Sequence, residues 1–333
     1  MTLREPAFWW RAGTGVPLAP LSAIYGAVAA WRMRSRGERI ELPVICLGNL
    51  TVGGAGKTPA ALAVAALLLA AHERPFFLTR GYGGRLAGPL RVNLAVHGAA
   101  DVGDEPLLLA QLAPTIVARD RVAGARLAQF AGAGVVVMDD GLQNPKLAKD
   151  LAIVVIDGRR AIGNGRVIPA GPLRAPLLSQ LERTQAIVVV GAPEGANAVV
   201  ARAAARGIAV FHGRLEPDAK VIAAIGTSKV LAFAGIGDPD KLFLTLAAAG
   251  VDIAERERFA DHHRYTAAEA RDLLGRARRS NLMLVTTEKD WVRLSGHPQL
   301  GELAARAIAL PVRLVIAEHE RFAELLLSAL KRA

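Results

Sequence analysis

The segment GNLTVGGAGKTP, residues 48–59, constrains the fold of this chain more than any other part of the sequence. It follows the apolar run LPVICLGN (42–49) and precedes AALAVAALLLAA, which indicates a buried strand, a glycine-rich turn and a buried helix. Pro59 is compatible with the start of that helix, because the first helical turn has no N–H partner to lose. The order strand, glycine turn, helix predicts a phosphate-binding loop, in which backbone amides and the helix N-terminus face an anion.

The loop departs from the strict pattern G-x-x-x-x-G-K-[ST], because Thr51 stands where the first glycine is expected. That position shapes the start of the loop and makes no necessary contact with phosphate. A glycine-rich turn with a coincidental GKT is the structural alternative. We predict that Lys57 reaches the β- and γ-phosphates of ATP and that the Thr58 hydroxyl binds Mg²⁺. The predicted nucleotide-binding residues are Thr51, Val52, Gly53, Gly54, Ala55, Gly56, Lys57 and Thr58.

A second apolar run, GVVVMDD (134–140), ends in Asp139 and Asp140. Carboxylates at the end of such a strand hold Mg²⁺ in nucleotide-hydrolysing proteins with a phosphate loop. Two adjacent carboxylates also need a nearby cation if both are to ionise cheaply. We therefore predict Asp139 and Asp140, together with Thr58, as the metal site, with a pair of solvated loop acids as the alternative.

Phosphoryl transfer to an alcohol also requires a base and positive charge around the migrating group. The segment DVGDEP offers three acids as the base, and four arginines follow apolar runs; spacing alone does not choose among them. These candidates are Asp101, Asp104 and Glu105, and Arg80, Arg119, Arg121 and Arg174. The histidines of DHH (261–263) lack the partners of a zinc site, so they form either a His–Asp pair for acid–base chemistry or a surface pair.

Apolar strands alternate with helices along most of the chain, which predicts an α/β fold with a doubly wound, mostly parallel sheet of the P-loop NTPase type. A strand–turn–helix pattern restarts near residue 230 and indicates a second, smaller α/β domain. The runs 209–217 and 312–320 are expected to pair as a two-stranded linker. We therefore expect a first domain over 1–215, a smaller α/β lid over 220–310, and a helix over 318–333 that returns to the first domain.

The chain has 333 residues, one cysteine and a net charge of +11. A disulfide scaffold is therefore excluded, and the positive charge suggests an acidic partner. Residues 16–31 carry no charge, and Arg32, Arg34, Arg36 and Arg39 follow them. This apolar segment is short for a membrane span, and its positive cluster follows it, unlike that of a signal peptide. We expect contact with an anionic membrane surface, a buried core helix being the alternative; we also expect a monomer that binds no nucleic acid.

A series of motifs in order, spanning about residues 42–292, resembles the tetraacyldisaccharide 4′-kinase (lipid A 4′-kinase) family of Gram-negative bacteria. Those motifs are GNLTVGGAGKTP, LTRGYGG, VGDEP, the DR at 120–121, MDDGLQ, IPAGPLRAP, FADHH and TTEKD. The resemblance implies ATP- and Mg²⁺-dependent phosphorylation of the 4′-hydroxyl of the tetraacyldisaccharide 1-phosphate lipid A precursor, which forms lipid IVA. It also implies a peripheral or shallowly anchored enzyme on the cytoplasmic face of the inner membrane.

Carried over by motif, the resemblance implies that Asp104 is the catalytic base and that His262 supports it, with Arg121 and Arg174 as active-site arginines. Gln143, Arg80 and Lys289 lie in matching motifs without an assigned role. Ala175 departs from the family pattern, in which we expect a glutamate in many relatives, so a contact from that side chain is not expected here.

Three other classes of protein remain as alternatives. A P-loop GTPase usually carries an N-K-x-D motif, and TEKD (287–290) differs from it because Glu288 precedes the lysine. A metallochaperone-type NTPase needs Cys or His ligands, and this chain has one cysteine. A nucleic-acid-binding ATPase is suggested by the net charge, and its binding would weaken steeply with salt.

Overall fold

The computed structural model describes residues 5–331 of the chain. Residues 1–4 of the expected first domain and residues 332–333 of the expected C-terminal helix lie outside the described residues. The described part contains two sheets, one of nine strands and one of four. No helix between residues 5 and 331 is long and apolar enough to cross a bilayer.

The strands and helices alternate over much of the described chain. The strands are β1 Val44–Gly48, β2 Pro75–Thr79, β3 Leu90–Arg91, β4 Thr115–Val117, β5 Val135–Asp139, β6 Leu151–Asp157, β7 Ala186–Val190, β8 Ala209–Pro217, β9 Val230–Ala234, β10 Ile253–Arg258, β11 Met283–Thr287, β12 Ala307–Leu310 and β13 Val312–Ile316. The α-helices are α1 Ala19–Met33, α2 Lys57–Ala70, α3 Ala99–Val102, α4 Asp104–Ala110, α5 Arg121–Phe130, α6 Leu177–Leu181, α7 Asn197–Ala204, α8 Ala219–Ile225, α9 Asp240–Ala248, α10 Ala267–Arg279, α11 Glu288–Leu294, α12 Gly301–Arg306 and α13 His319–Leu330.

The large sheet has the strand order β13-β8-β7-β6-β1-β5-β2-β4-β3. Its inner strands are parallel, and only the outer pairs β13–β8 and β3–β4 are antiparallel. β1 lies between β6 and β5, and all five of its residues are buried. The predicted fold class is therefore confirmed: an apolar strand with no polar face is stable only where helices cover both sides of the sheet.

Successive residues of β1 contribute to different cores. Val44 and Cys46 belong to the core beneath α5, α6 and α7, whereas Ile45 and Leu47 belong to the core beneath α2 and α13. Burial raises the pKa of the Cys46 thiol to about 12, which keeps it protonated at neutral pH. This central strand ends directly at the glycine loop, so both cores fix the position of that loop.

The small sheet has the order β10-β9-β11-β12, and its strand pairs are parallel. Separate apolar cores lie on its two faces, one under α10 and α12 and one under α8 and α9. The two runs expected to link the domains do pair: β13 lies antiparallel to β8, with Leu314 opposite Leu215. β8 also pairs with β7, so this linker forms one edge of the large sheet.

Helix α13 follows β13 and packs against α2 and the large sheet. Phe322 lies with its ring centroid 5.0 Å from that of Phe211 on β8, in an edge-to-face arrangement. Leu326 is 1% exposed in the same core, whereas its neighbour Leu327 is 37% exposed. The helix therefore buries one stripe of side chains against the large sheet and leaves the adjacent stripe in solvent.

Leu326→Ala is expected to lower the free energy of unfolding by about 2–5 kcal/mol, because it leaves a cavity in a closed core. Leu327→Ala, one position along the same helix, is expected to cost less than about 1 kcal/mol. Urea denaturation of both variants, followed by circular dichroism, measures the difference. Equal losses in the two variants would contradict this packing of α13.

Candidate functional site

The glycine loop between β1 and α2 turns sharply around two glycines with left-handed backbone. Gly53 has a φ of 100° and Gly56, the residue before α2, has a φ of 91°. Residues with a side chain rarely adopt such backbone angles, which explains why glycine occupies both positions. The buried side-chain amide of Asn49 donates to the carbonyl oxygens of Thr51 (2.6 Å) and Gly53 (3.2 Å) and holds the turn from inside. The loop is thus shaped by its own sequence before any ligand binds.

The start of the loop explains the threonine that breaks the strict pattern. Thr51 lies in an antiparallel bridge opposite Leu173, and the N–H of Val52 donates to the Pro172 carbonyl at 2.9 Å. Extended backbone suits a β-branched residue and gives glycine no advantage. The Val52 amide is committed to this bridge, so the amides left to face a phosphate follow it, from Gly53 to Thr58.

Asp140, at the end of β5, lies between two cations from other parts of the chain. Its Oδ1 lies 2.8 Å from Nη1 of Arg174 and 3.7 Å from Nζ of Lys57. Burial opposes ionisation of this carboxyl group, but Lys57 and Arg174 outweigh burial and hold the pKa of Asp140 below its usual range. Asp140 also adopts a left-handed φ of 52°, a strained conformation that occurs more often at functional sites.

Asp139 differs from its neighbour, because its Oδ1 is buried without a hydrogen-bond partner among residues 5–331. Burial, followed by the charge of Asp140, raises the pKa of Asp139. A buried, unpaired carboxylate oxygen is costly, and a divalent cation relieves that cost. The donor set therefore fits Mg²⁺: Asp139, its neighbour Asp140 and the hydroxyl of Thr58 in the first turn of α2 all supply the hard oxygen ligands that this ion prefers.

Asp104 lies between strands β3 and β4 of the large sheet in the chain, and His262 follows strand β10 of the small sheet. Their side chains meet across the gap between the two sheets. Asp104 is the first residue of α4 and is 3% exposed, and its Oδ2 lies 3.2 Å from Nδ1 of His262. His262 has a left-handed φ of 53°, and its N–H donates to the Gly235 carbonyl at 3.1 Å. Burial lowers the pKa of His262, but the hydrogen bond that its ring donates to Asp104 and the charges of Asp104 and Glu105 outweigh burial and raise it.

Glu105 makes a second ion pair across the same gap. Its Oε1 lies 2.8 Å from Nζ of Lys289, the first lysine of α11. Asp104, Glu105 and His262 lie close enough to share a metal ion. The Lys289 ammonium already supplies positive charge there, and it also acts on Asp139 and Lys57. The Lys289 ammonium therefore already balances acidic charge in this group, whereas Oδ1 of Asp139 has no hydrogen-bond partner among residues 5–331.

The structure distinguishes among the candidate acids and arginines between which the sequence could not choose. Asp101 pairs with the exposed Arg85 at 2.7 Å and caps α3, while Asp104 pairs with His262. Arg80 and Arg119 are exposed. Arg121 is 3% exposed, donates to the Ala118 carbonyl, and feels the charges of Asp139 and Asp140. Arg174 reaches Asp140 directly, so the two arginines implied by the family motifs are those at the site.

Gln143, which sequence analysis named without a role, and Lys241, which it did not name, support the site. Gln143 donates to the Asn49 carbonyl and to the Gln180 side chain, both at 2.9 Å, and thereby braces the loop from behind. From the small sheet, Nζ of Lys241 lies 2.7 Å from the Gly54 carbonyl and 2.6 Å from Asp157. The position of Gln143 in the MDDGLQ motif was a sequence signal for its contact with the loop. The sequence contains no such signal for Lys241, because its partners Gly54 and Asp157 are 187 and 84 residues away.

The His262 pair predicts a pH dependence whose sign follows from the pKa shift. Because the folded-state pKa lies above the unfolded value of 6.5, the pair stabilises the fold fully below about pH 6.5, and this contribution is lost as pH rises through the folded-state pKa. We expect an NMR titration midpoint for the His262 ring above 6.5 in the unmodified protein and a lower midpoint in Asp104→Asn. His263→Gln serves as the control for assigning the signal; an unchanged midpoint in Asp104→Asn would contradict the pairing.

Comparison with known proteins identifies the family. Residues 14–331 match the family LpxK, tetraacyldisaccharide-1-P 4′-kinase. A tetraacyldisaccharide 4′-kinase of Rhodopseudomonas palustris (strain BisA53) is 52% identical over 332 residues, covering 99% of this chain and 97% of the relative. One from Methylobacterium sp. (strain 4-46) is 54% identical over 319 residues, covering 95% and 94%.

A solved structure agrees with the sequence comparison. The structure of LpxK from Aquifex aeolicus in complex with ATP superimposes with a TM-score of 0.70 at 25% identity, covering 95% of this chain and 99% of that chain. The motif series, the fold and these near full-length matches agree with one another. The chain belongs to the tetraacyldisaccharide 4′-kinase family.

Proposed function

We propose that this chain transfers the γ-phosphoryl group of ATP to the 4′-hydroxyl of a tetraacyldisaccharide 1-phosphate, giving the 4′-phosphorylated product and ADP. The observation that carries the proposal is the convergence of two sets of groups. Lys57, Asp139 and Asp140 surround the glycine loop, and Asp104 with His262 faces them from the gap between the sheets. Lys289 acts electrostatically on both sets, which supports a single site for them.

The glycine loop binds the nucleotide in this proposal. The amides from Gly53 to Thr58 and the N-terminus of α2 face the phosphates, and Lys57 places its ammonium beside them. Nζ of Lys57 lies 3.7 Å from Oδ1 of Asp140, so this carboxylate holds the lysine close to the loop. Thr58, Asp139 and Asp140 would hold Mg²⁺, which would supply positive charge to neutralise the phosphates.

Asp104 acts as the general base. The 4′-oxygen attacks the γ-phosphorus, the bond from that phosphorus to the β-phosphate oxygen breaks, and the hydroxyl proton passes to the Asp104 carboxylate. His262 donates to Asp104 Oδ2 through Nδ1 and holds the carboxylate toward the acceptor. Arg121 and Arg174 stabilise the negative charge on the migrating phosphoryl group. His262 belongs to the segment between β10 and α10, so the small sheet must lie against the large one for this site to be complete.

The transfer reaction tests the proposal directly. With γ-labelled ATP, Mg²⁺ and the detergent-dispersed disaccharide lipid, we expect label in the lipid and a loss on the order of 10²–10³-fold in Lys57→Ala, since this removes a charge that stabilises the transferring group. Lys220→Ala, an exposed lysine on α8, is the matched control and is expected to retain activity. Hydrolysis of GTP without any transfer to lipid would favour the GTPase alternative and rule out the kinase.

The exposed face of α1 supports a membrane-surface location. Ser22, Gly26 and Met33 are buried on one side of the helix. The opposite side carries an apolar stripe at helical spacing, and four exposed arginines follow it; the stripe consists of Leu21, Ile24, Tyr25, Val28 and Trp31. Monomeric proteins rarely leave such a stripe in water, and a basic flank favours anionic headgroups. We propose that α1 lies in the surface of the inner membrane, from which the lipid acceptor reaches the site.

Vesicle sedimentation tests that location. Replacing Arg34 and Arg36 with Gln is expected to weaken binding to phosphatidylglycerol vesicles by about 2 kcal/mol, roughly 30-fold, at about 1 kcal/mol per basic residue. Ile24→Ser is expected to weaken binding to anionic and neutral vesicles alike, because it removes apolar contact. Val96→Ser, at an exposed apolar residue away from α1, is the control. Unchanged binding in the first two variants would exclude α1 as the contact.

A further inference from the structure

Arg293 on α11 lies beneath the Asp104–His262 pair and is used by no step of the reaction described above. Its side chain is 8% exposed, and its Nε lies 3.4 Å from Oδ2 of Asp104, the oxygen that also contacts His262. The same Nε donates to the Lys289 carbonyl at 3.1 Å, so the contact with Asp104 is an ion pair rather than a hydrogen bond. Burying a guanidinium costs free energy unless nearby carboxylates and carbonyls compensate for its lost hydration. The groups that compensate Arg293 therefore indicate what this side chain positions.

Arg293 also holds the backbone on both sides of His262. Its Nη1 donates to the Gly235 carbonyl at 2.9 Å and lies 3.3 Å from the carbonyl of His263. The Gly235 carbonyl in turn accepts the N–H of His262 at 3.1 Å. One guanidinium therefore contacts the turn that keeps His262 in its left-handed conformation, and at the same time the carboxylate that His262 must meet.

Asp290 fixes Arg293 from the opposite side. Its carboxylate is fully buried, and Oδ1 lies 3.0 Å from Nη2 of Arg293. The same oxygen accepts the N–H of Gly235 at 2.9 Å and the hydroxyl of Tyr265 at 2.6 Å, while Oδ2 accepts the hydroxyl of Thr287. These bonds leave the carboxylate little freedom, so Arg293 is held in one orientation by a network inside the small sheet.

We propose that Arg293, oriented by Asp290 and Tyr265, is a positioning residue that sets the geometry of the Asp104–His262 pair across the gap between the two sheets. This inference rests on the proposed roles of Asp104 and His262 in phosphoryl transfer. Its physical basis is that the base and its histidine belong to different sheets, so no local backbone geometry can fix their separation. The Arg293 guanidinium is a rigid fork of N–H donors that reaches Asp104 and the backbone beside His262, so it can fix that separation. A lysine ammonium cannot reproduce this geometry.

Other charged groups also surround Asp104, so the effect of Arg293 must be separated from theirs. Glu105 follows Asp104 on α4, and His262 faces Asp104 from the small sheet. Asp261 lies beside the His262 ring, and Lys289 of α11 pairs with Glu105. Lys289 and Arg293 both favour the ionised form of Asp104. Lys289 makes no hydrogen bond to Gly235 or His263 among the described residues. A variant at position 293 that keeps the positive charge but loses the guanidinium donors therefore isolates the positioning role.

The experiment compares Arg293→Gln with Arg293→Lys in the lipid-transfer assay, with ATP, Mg²⁺ and the disaccharide lipid. We expect kcat to fall on the order of a hundredfold in Arg293→Gln, as misplacement of a catalytic group by about 1 Å does, with KM for ATP unchanged. The acidic limb of its kcat–pH profile should move to higher pH, since Asp104 loses a neighbouring cation. Arg293→Lys should keep the acidic limb of the unmodified protein yet lose most of the kcat.

Tyr265→Phe provides a second test if Arg293 variants fail to fold, because it removes a single hydroxyl from Asp290. We expect a several-fold fall in kcat, again with KM for ATP unchanged. Arg279→Gln, an exposed arginine on α10, is the matched control and should retain full activity. Normal kcat in Arg293→Gln or in Tyr265→Phe overturns the inference. In Arg293→Gln, a loss of kcat that only tracks a lower melting temperature, with an unshifted acidic limb, also overturns it. An inactive unmodified protein overturns the proposed function itself.

Discussion

Asp140 and its two cations connect the parts of the site within the large sheet. Lys57 begins α2, Asp140 directly follows β5, and Arg174 comes from the segment whose backbone pairs with the start of the glycine loop. Arg174 donates through Nε to the Thr51 carbonyl at 3.0 Å and through Nη1 to Asp140. Each cation would be costly to bury alone, and the shared carboxylate reduces that cost. The loop, the acidic strand end and the arginine are therefore positioned together.

The groups proposed for proton transfer depend on a different kind of constraint. Asp104 begins α4, which lies between β3 and β4 in the chain, while His262, Lys289 and Arg293 follow strands of the small sheet. An apolar cluster crosses the gap, in which Val292 of α11 packs with Val102 and Leu107. Ion pairs lie beside it, and Lys241 adds a hydrogen bond directly to the glycine loop. Apolar packing and charge together therefore hold the two sheets against each other at this site.

The proposed membrane contact and the nucleotide site are connected through α1. The buried side of that helix includes the small residues Ser22 and Gly26, which allow close packing, and Ser22 donates to the Val167 carbonyl at 2.6 Å. Val167 and Leu173 pair in a bridge, and Leu173 faces Thr51 at the start of the loop. A short series of contacts thus connects α1, the proposed membrane-surface helix, to the start of the glycine loop.

Much of the fold could be predicted because its signals are local. An apolar run that ends in GGAGKT determines strand, turn and helix through burial, glycine backbone freedom and proline at the first turn. The position of Asp139 and Asp140 at the end of an apolar run likewise predicted that both acids belong to the site. Which acid of DVGDEP faces the histidine could not be derived from spacing, since Asp101 and Asp104 are alike in sequence and differ only in whether Arg85 or His262 lies opposite.

The sequence by itself therefore determined the glycine loop, the acidic strand end, the α/β class and the apolar face of α1, each from residues within a few positions of one another. The tertiary structure alone decided the pairing of Asp104 with His262, the contact of Lys241 with Gly54 and the network around Arg293. The first two contacts, and that of Arg293 with Asp104, join residues more than a hundred positions apart, and their geometry depends on how two separately formed sheets lie against each other. Side-chain periodicity carries no information about that arrangement, because it records which face of an element is buried and not which element covers it.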